Sequence, residues 1–331
     1  MRGTAGRRYS FNIEAMIDGT SDRRRFLAAT LGAAAALAGG GGLLRHAAAQ
    51  TALREIELRD GLRLVTGMGS NVIVLQAAGV AAVVDSGPPE RANELAKLVR
   101  GNSGLLSVEL LFNTHWHPAH TGGNEALRSG DTDIFAHELT RLWMSTEYYV
   151  DWEDKTYTPR VAAALPTRTF YSSDPQPLVV EIGDEEIEYG HLPEAHTDGD
   201  IYVRFRNRNV LAAGGAVTHG EYPVIDYATG GWIGGLVDAT RKLLDLTDAG
   251  TLIVPADGPV QPRAHLAAQL EMLTVVRGRV ETAMRKGLSI AEMLAEGVTN
   301  EFDATWGRNR ERFVANIYHG LWWAGRLGDS L

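Results

Sequence analysis

Three histidines fall within six residues, His115, His117 and His120, in the stretch Asn113-Thr114-His115-Trp116-His117-Pro118-Ala119-His120-Thr121-Gly122-Gly123-Asn124. Imidazoles this close, with Pro118 holding a turn and no helical periodicity through them, can aim ring nitrogens at one small volume. That is the spacing of a metal site: Zn²⁺ takes histidine nitrogen at roughly 2.0–2.1 Å, and a catalytic site commonly keeps three protein ligands and one open position. The chain has no cysteine, so histidine and carboxylate are the only strong ligands available to it.

The elements that must hold this loop can be read on either side of it. Val108 to Phe112 is short and apolar, and predicts a buried strand that delivers the histidines from its end. Earlier runs at Leu62–Val65, Asn71–Leu75 and Ala81–Asp85, separated by Gly and Ser, predict a strand meander. Glu90–Val99 has helical spacing, Asp133–His137 reads as a strand and Glu138–Glu147 as a helix. The second half reads similarly, with strands at Leu178–Ile182, Glu186–Tyr189, Ile201–Phe205 and Val210–Ala213, a helix from near Trp232, and a last strand at Thr251–Pro255. From Pro262 the pattern is helical, and this section reads as a structural flank. An aromatic, acidic insert lies between Trp143 and Tyr171; its rings read either as the wall of a small-molecule pocket or as packing of the insert onto the domain.

In these residues the chain resembles a metallo-β-lactamase-fold hydrolase, over about Leu58 to Gln261. The family pattern His-x-His-x-Asp-His is matched by His115, His117 and His120, with Ala119 in place of the aspartate. The resemblance implies an α/β fold, an αββα sandwich here carrying a C-terminal helical extension. It also implies that Asp85, in Asp85-Ser86-Gly87, supports the metal loop from behind. The third ligand of the first metal site is then His196, in Ala195-His196-Thr197-Asp198-Gly199-Asp200. A second metal site is implied to be weak, because its places hold Ala119, His120, Gly215 and Asp257, of which only His120 and Asp257 can ligate. Without a carboxylate at Gly215 nothing bridges two ions, so one Zn²⁺ is expected, with iron as the other candidate metal.

Residues 1–49 form a separate segment. Asp22-Arg23-Arg24-Arg25-Phe26-Leu27 precedes an Ala/Gly/Leu-rich run and Ala47-Ala48-Ala49, resembling a twin-arginine signal peptide cleaved before Gln50, with Met16 as an alternative start. Residues 50–261 are then the metallo-β-lactamase-fold domain and 262–331 the C-terminal helical section. The net charge is −9, and residues 1–49 carry seven arginines against three acids, so the remainder is more acidic still. Such a surface disfavours nucleic acid and anionic lipid, leaving a small-molecule substrate as the expected partner, with no stable membrane association after cleavage.

The expectation is a periplasmic or extracellular zinc-dependent hydrolase, using a metal-bound hydroxide on a small ester, lactone, lactam or thioester. His120 and Asp257 are the candidate proton-handling residues in place of the missing carboxylate. Two alternatives are a degenerate member that binds metal or ligand without turnover, and a mononuclear iron sulfur oxygenase; the latter resembles proteins with a carboxylate at the position of Gly215.

Overall fold

The computed structural model describes residues 52–101, 104, 106–174 and 176–323. The expected signal segment lies outside the described residues. Strands Arg54–Arg59, Leu62–Thr66, Val72–Ala77 and Val80–Val84 pair antiparallel in sequence order. Ser107–Phe112, Asp133–His137 and Arg168–Phe170 then extend the sheet in parallel, giving seven strands. A second sheet contains Leu178–Ile182, Glu185–His191, Ile201–Phe205, Val210–Gly214 and Leu252–Pro255, with the last pair parallel.

The alternation of side chains along each strand explains the near-continuous apolar runs. Leu62, Leu64, Ile73, Leu75 and Phe112 face Ile187, Ile201, Val203 and Phe205 across the interior of the sandwich. The opposite face of the first sheet, with Val72, Val74 and Val83, is covered by Leu95 and Val99 of helix Ala92–Arg100. Leu211 and Ile253, on the outer face of the second sheet, pack with Leu236 and Leu243 of helix Ile233–Asp245. Both sheets are therefore buried on both faces, which is the four-layer αββα arrangement.

The C-terminal helices Arg263–Arg285 and Arg310–Trp323 join the same outer core through Leu266, Leu273, Phe313 and Ile317. No helix among the described residues is long and apolar enough to cross a membrane. The sequence reading, whose first strand is Leu62–Val65, missed Arg54–Arg59, an edge strand that is almost wholly exposed and so lacks an apolar signature. The histidine loop also differs from its expected form. Pro118–Thr121 is one turn of helix with Pro118 at its first position, where its fixed φ and missing N–H are tolerated. Four residues are too few to show a helical period.

Strand ends set up the site. The C-terminal ends of Val80–Val84 and Ser107–Phe112 in one sheet, and of Val210–Gly214 and Leu252–Pro255 in the other, deliver Asp85, the histidine loop, Gly215 and Asp257. All but Asp85 line one cavity, the setting in which α/β folds place ligands.

Candidate metal centre

His115, His117 and His196 come together with one ligand nitrogen each within 4.8 Å of the others, the only such group of three among the described residues. Their far nitrogens are each held by an outer partner, and these partners fix the tautomers. Nδ1 of His196 lies 2.7 Å from the carbonyl of Val224. A carbonyl can only accept, so Nδ1 carries the proton and Nε2 presents a lone pair. Nε2 of His117 lies 3.1 Å from Oδ2 of Asp226, so in the neutral ring, the form that ligates, Nδ1 of His117 carries the lone pair. Thr114 Oγ1 donates to Asp85 Oδ2 at 2.8 Å and lies 3.0 Å from Nδ1 of His115, so Nε2 is the free nitrogen there too.

The three lone pairs converge. Nδ1 of His117 and Nε2 of His196 are 2.9 Å apart, and Nε2 of His115 is buried with no hydrogen-bond partner among the described residues. Facing lone pairs repel, and a buried acceptor without a partner is costly, about 1–3 kcal/mol. A cation among the three nitrogens relieves both, so the residues present fit a divalent metal. Burial, followed by repulsion from His120, His196 and His117, holds His115 well below the usual imidazole range. His196 is lowered by burial and by His117, against the opposing effects of Asp200, the Val224 carbonyl and Asp226. Neutral imidazole is the ligating form.

Local hydrogen bonds make the site rigid. Asp85 also accepts from the Thr114 backbone N–H at 2.8 Å, so this carboxylate braces the residue that precedes His115. Burial raises its pKa to about 7, with the two Thr114 hydrogen bonds pulling the other way. On the second half, Asp200 accepts from the backbone N–H groups of His196 and Thr197 and from the Thr197 hydroxyl, closing the Ala195–Asp200 loop on itself. Ile201 N–H donates to the Thr114 carbonyl at 2.8 Å, locking the two halves together beside the histidines.

Sequence reasoning missed Asp226, which is fully buried. Its Oδ2 receives Thr229 Oγ1 at 2.6 Å besides its contact with His117, and its Oδ1 receives the Trp152 indole N–H at 2.9 Å. Burial pushes Asp226 up, but the His117 bond and charge, with those from Thr229 and Trp152, outweigh it and hold the carboxyl below its ordinary range. Only the fold reveals it: a Cβ on Gly231 would lie 2.2 Å from the His196 carbonyl oxygen, so the turn after Asp226 passes flush against the His196 loop.

His120 and Asp257 lie outside the group of three. The His120 ring is 4.5 Å from that of His115, and its Nδ1 is buried without a partner, 3.9 Å from Asp85 Oδ2. Burial, with His117 and His196, lowers its pKa to about 3. Asp257 lines the same cavity. Partial enclosure and the charge of Glu221 raise its pKa, against the pull of Arg308. Gly215 is closed to any side chain, because a Cβ there would sit 2.2 Å from Cδ2 of His196. The space needed for a bridging carboxylate is taken by a ligand ring that Val224 holds in place.

The cavity over the histidines measures about 620 Å³ and is walled by Trp152 and Tyr157 of the insert. Lys155 and Arg312 stand on its lining, over the rings of Tyr157 and Trp152 respectively. Arg312 comes from the C-terminal helix, so that section also reaches the site beyond its structural role.

Residues 65–270 match the Metallo-beta-lactamase superfamily, and the chain belongs to that superfamily. No curated protein sequence matches it. Among solved structures, it is similar to a metallo-beta-lactamase from Pontibacter korlensis, at TM-score 0.53 and 20% identity, over 67% of this chain and 99% of that one. It is similar to the BLEG-1 B3 metallo-beta-lactamase at TM-score 0.52 and 19% identity, over 67% of this chain and all of that one. Likeness to the inverting sec-alkylsulfatase Pisa1 from Pseudomonas sp. reaches TM-score 0.60 at 16% identity, over 81% of this chain and 50% of that one. At these identities the likeness is one of fold.

Proposed function

We propose that the protein is an exported, single-metal hydrolase in which His115, His117 and His196 hold one Zn²⁺. The observation that carries this reading is the convergence of three imidazole lone pairs, each fixed by an outer partner and two facing each other at 2.9 Å. A divalent ion so held supplies Lewis acidity and lowers the pKa of a bound water to about 7.

The chain's own groups divide the remaining work. Trp152 and Tyr157 line the cavity and give a substrate flat apolar surface. Lys155 and Arg312 share the cavity lining with Glu153, Glu221 and Asp257, so charged groups of both signs are at hand to bind the polar part of a substrate. Asp257, which lines the cavity and has a raised pKa, is the group we assign to take up and return a proton at the leaving group. Asp226 orients His117 and anchors the wall through Trp152.

Substrates in this reading are small esters, lactones, lactams or thioesters. The test is hydrolysis by zinc-loaded protein across such a panel, with a sulfate ester included, before and after removal of metal with a chelator. Chelator-sensitive turnover of at least one class supports the reading. Firmly bound zinc with no turnover supports instead a binding member of the fold, which the missing carboxylates at Ala119 and Gly215 favour. Export rests on Arg23-Arg24 and the Ala47–Ala49 cleavage pattern.

A further inference from the structure

A second cavity adjoins the one over the histidines. Asp257 and Glu221 line the metal cavity and also a second cavity of about 590 Å³. The turn between strands Leu62–Thr66 and Val72–Ala77 forms one side of this second lobe and Arg308 another.

Ser70 lines this lobe. It is only 3% exposed, and its Oγ has no hydrogen-bond partner among the described residues. A buried hydroxyl in that state weakens the fold, so a native position that keeps one calls for a reason. Looseness of the turn is not that reason. The adjacent Asn71 donates from Nδ2 to the carbonyls of Pro255 at 3.0 Å and Gly258 at 2.8 Å, and its backbone N–H donates to Ala256 at 2.8 Å. These bonds pin the Ser70 turn to the loop that carries Asp257.

The charges around the lobe select its occupant. Arg308, tied by Nε to the Gly220 carbonyl at 2.9 Å, faces two carboxylates, Glu221 and Asp257. One cation against two acids disfavours an anionic tail, and the guanidinium disfavours a cationic one. An uncharged group with a strong acceptor fits both, and the free Ser70 hydroxyl is a donor in want of one.

We propose that the second lobe is a subsite for an uncharged amide-type tail of the substrate, whose carbonyl oxygen accepts from Ser70 Oγ. The substrate is then two-ended, with its reacting group over the histidines and its tail past the waist formed by Asp257 and Glu221. This rests on the reading of His115, His117 and His196 as a metal site, since it places the reacting end there.

The experiment uses zinc-loaded full-length protein and two hydroxamates of matched length, one with a terminal amide on its tail and one with a plain alkyl tail. Binding is measured by calorimetry for the natural protein and for Ser70→Ala, alongside their melting temperatures. The natural protein should prefer the amide-tailed compound by roughly tenfold, the scale of one well-made hydrogen bond. In Ser70→Ala the preference should vanish while the melting temperature stays level or rises, because the hydroxyl removed had no partner. Equal affinities in the natural protein overturn the subsite, and a preference that survives Ser70→Ala overturns the role of Ser70. A lowered melting temperature in Ser70→Ala also counts against the proposal, since it reveals a structural partner for the hydroxyl. Zinc content is measured on the same samples: failure of both compounds to bind protein that holds its zinc overturns this inference alone, and failure to take up zinc overturns the metal reading.

Discussion

The carboxylate of Asp226 lies 3.1 Å from Nε2 of His117, joining two residues 109 positions apart in the chain. Through its other oxygen the same carboxylate holds Trp152, so the orientation of a candidate ligand and the position of the cavity wall depend on one side chain. Asp226→Asn cannot satisfy both. An amide has one acceptor oxygen, and its NH₂ must then face either the Trp152 N–H or the His117 N–H. We expect zinc affinity to fall by roughly 10–100-fold, as losses of outer partners to metal-bound histidine commonly do. Competition with a chromophoric chelator measures this, and an unchanged affinity argues against the role given to Asp226.

A second expectation concerns Gly215. Even Gly215→Ala places a methyl against the His196 ring, which is held at Nδ1 by Val224. Zinc affinity should drop at least about tenfold with the fold retained. Gly214, not Gly215, has the left-handed backbone, with φ of +54, so strain in the backbone does not account for the loss. The same contact predicts that adding aspartates at both Ala119 and Gly215 does not build a second site, because the new carboxylate displaces a ligand of the first. Two ions per chain in that double variant would show that the His196 ring yields, contrary to the packing described.

The site was partly legible in the sequence. His115 and His117 could be paired because they are neighbours at the end of an apolar strand, and the sheets could be traced because their strands are buried on both faces and hence continuously apolar. Asp226 was hidden because a lone aspartate in a loop carries no periodicity, and its importance comes only from a contact across the fold. Arg312 was hidden for a related reason: the helical stripe around it reports the core side of its helix and says nothing of what the exposed side faces.

Stability should fall on acidification, in part through His137. Its ring stacks on that of His191 at 3.9 Å, and burial followed by the charge of His191 lowers its pKa to about 3. Between the ordinary imidazole value of 6.5 and about 3, the unfolded chain binds a proton that the folded chain refuses, so stability declines as pH falls through that window. Urea unfolding of natural protein and of His137→Gln at pH 7 and pH 5 reads the effect. The natural protein should lose more stability over that interval, and equal losses would remove His137 from the account.

Export is tested at the expected signal. Exchanging Arg23 and Arg24 together for Lys should leave precursor in the cytoplasm, and mature protein should begin at Gln50. Unchanged export of the doubly substituted chain, or an N-terminus elsewhere, contradicts the reading.

The most direct test of the central claim is the metal content of the protein and of four single variants, measured by elemental analysis after dialysis against a weak chelator. Three converging imidazoles predict close to one zinc per chain, abolished by His115→Ala, His117→Ala or His196→Ala and largely kept in His120→Ala. Two firmly held ions in the natural protein, or a zinc that survives loss of any of the three converging histidines, would contradict a single site built from these side chains.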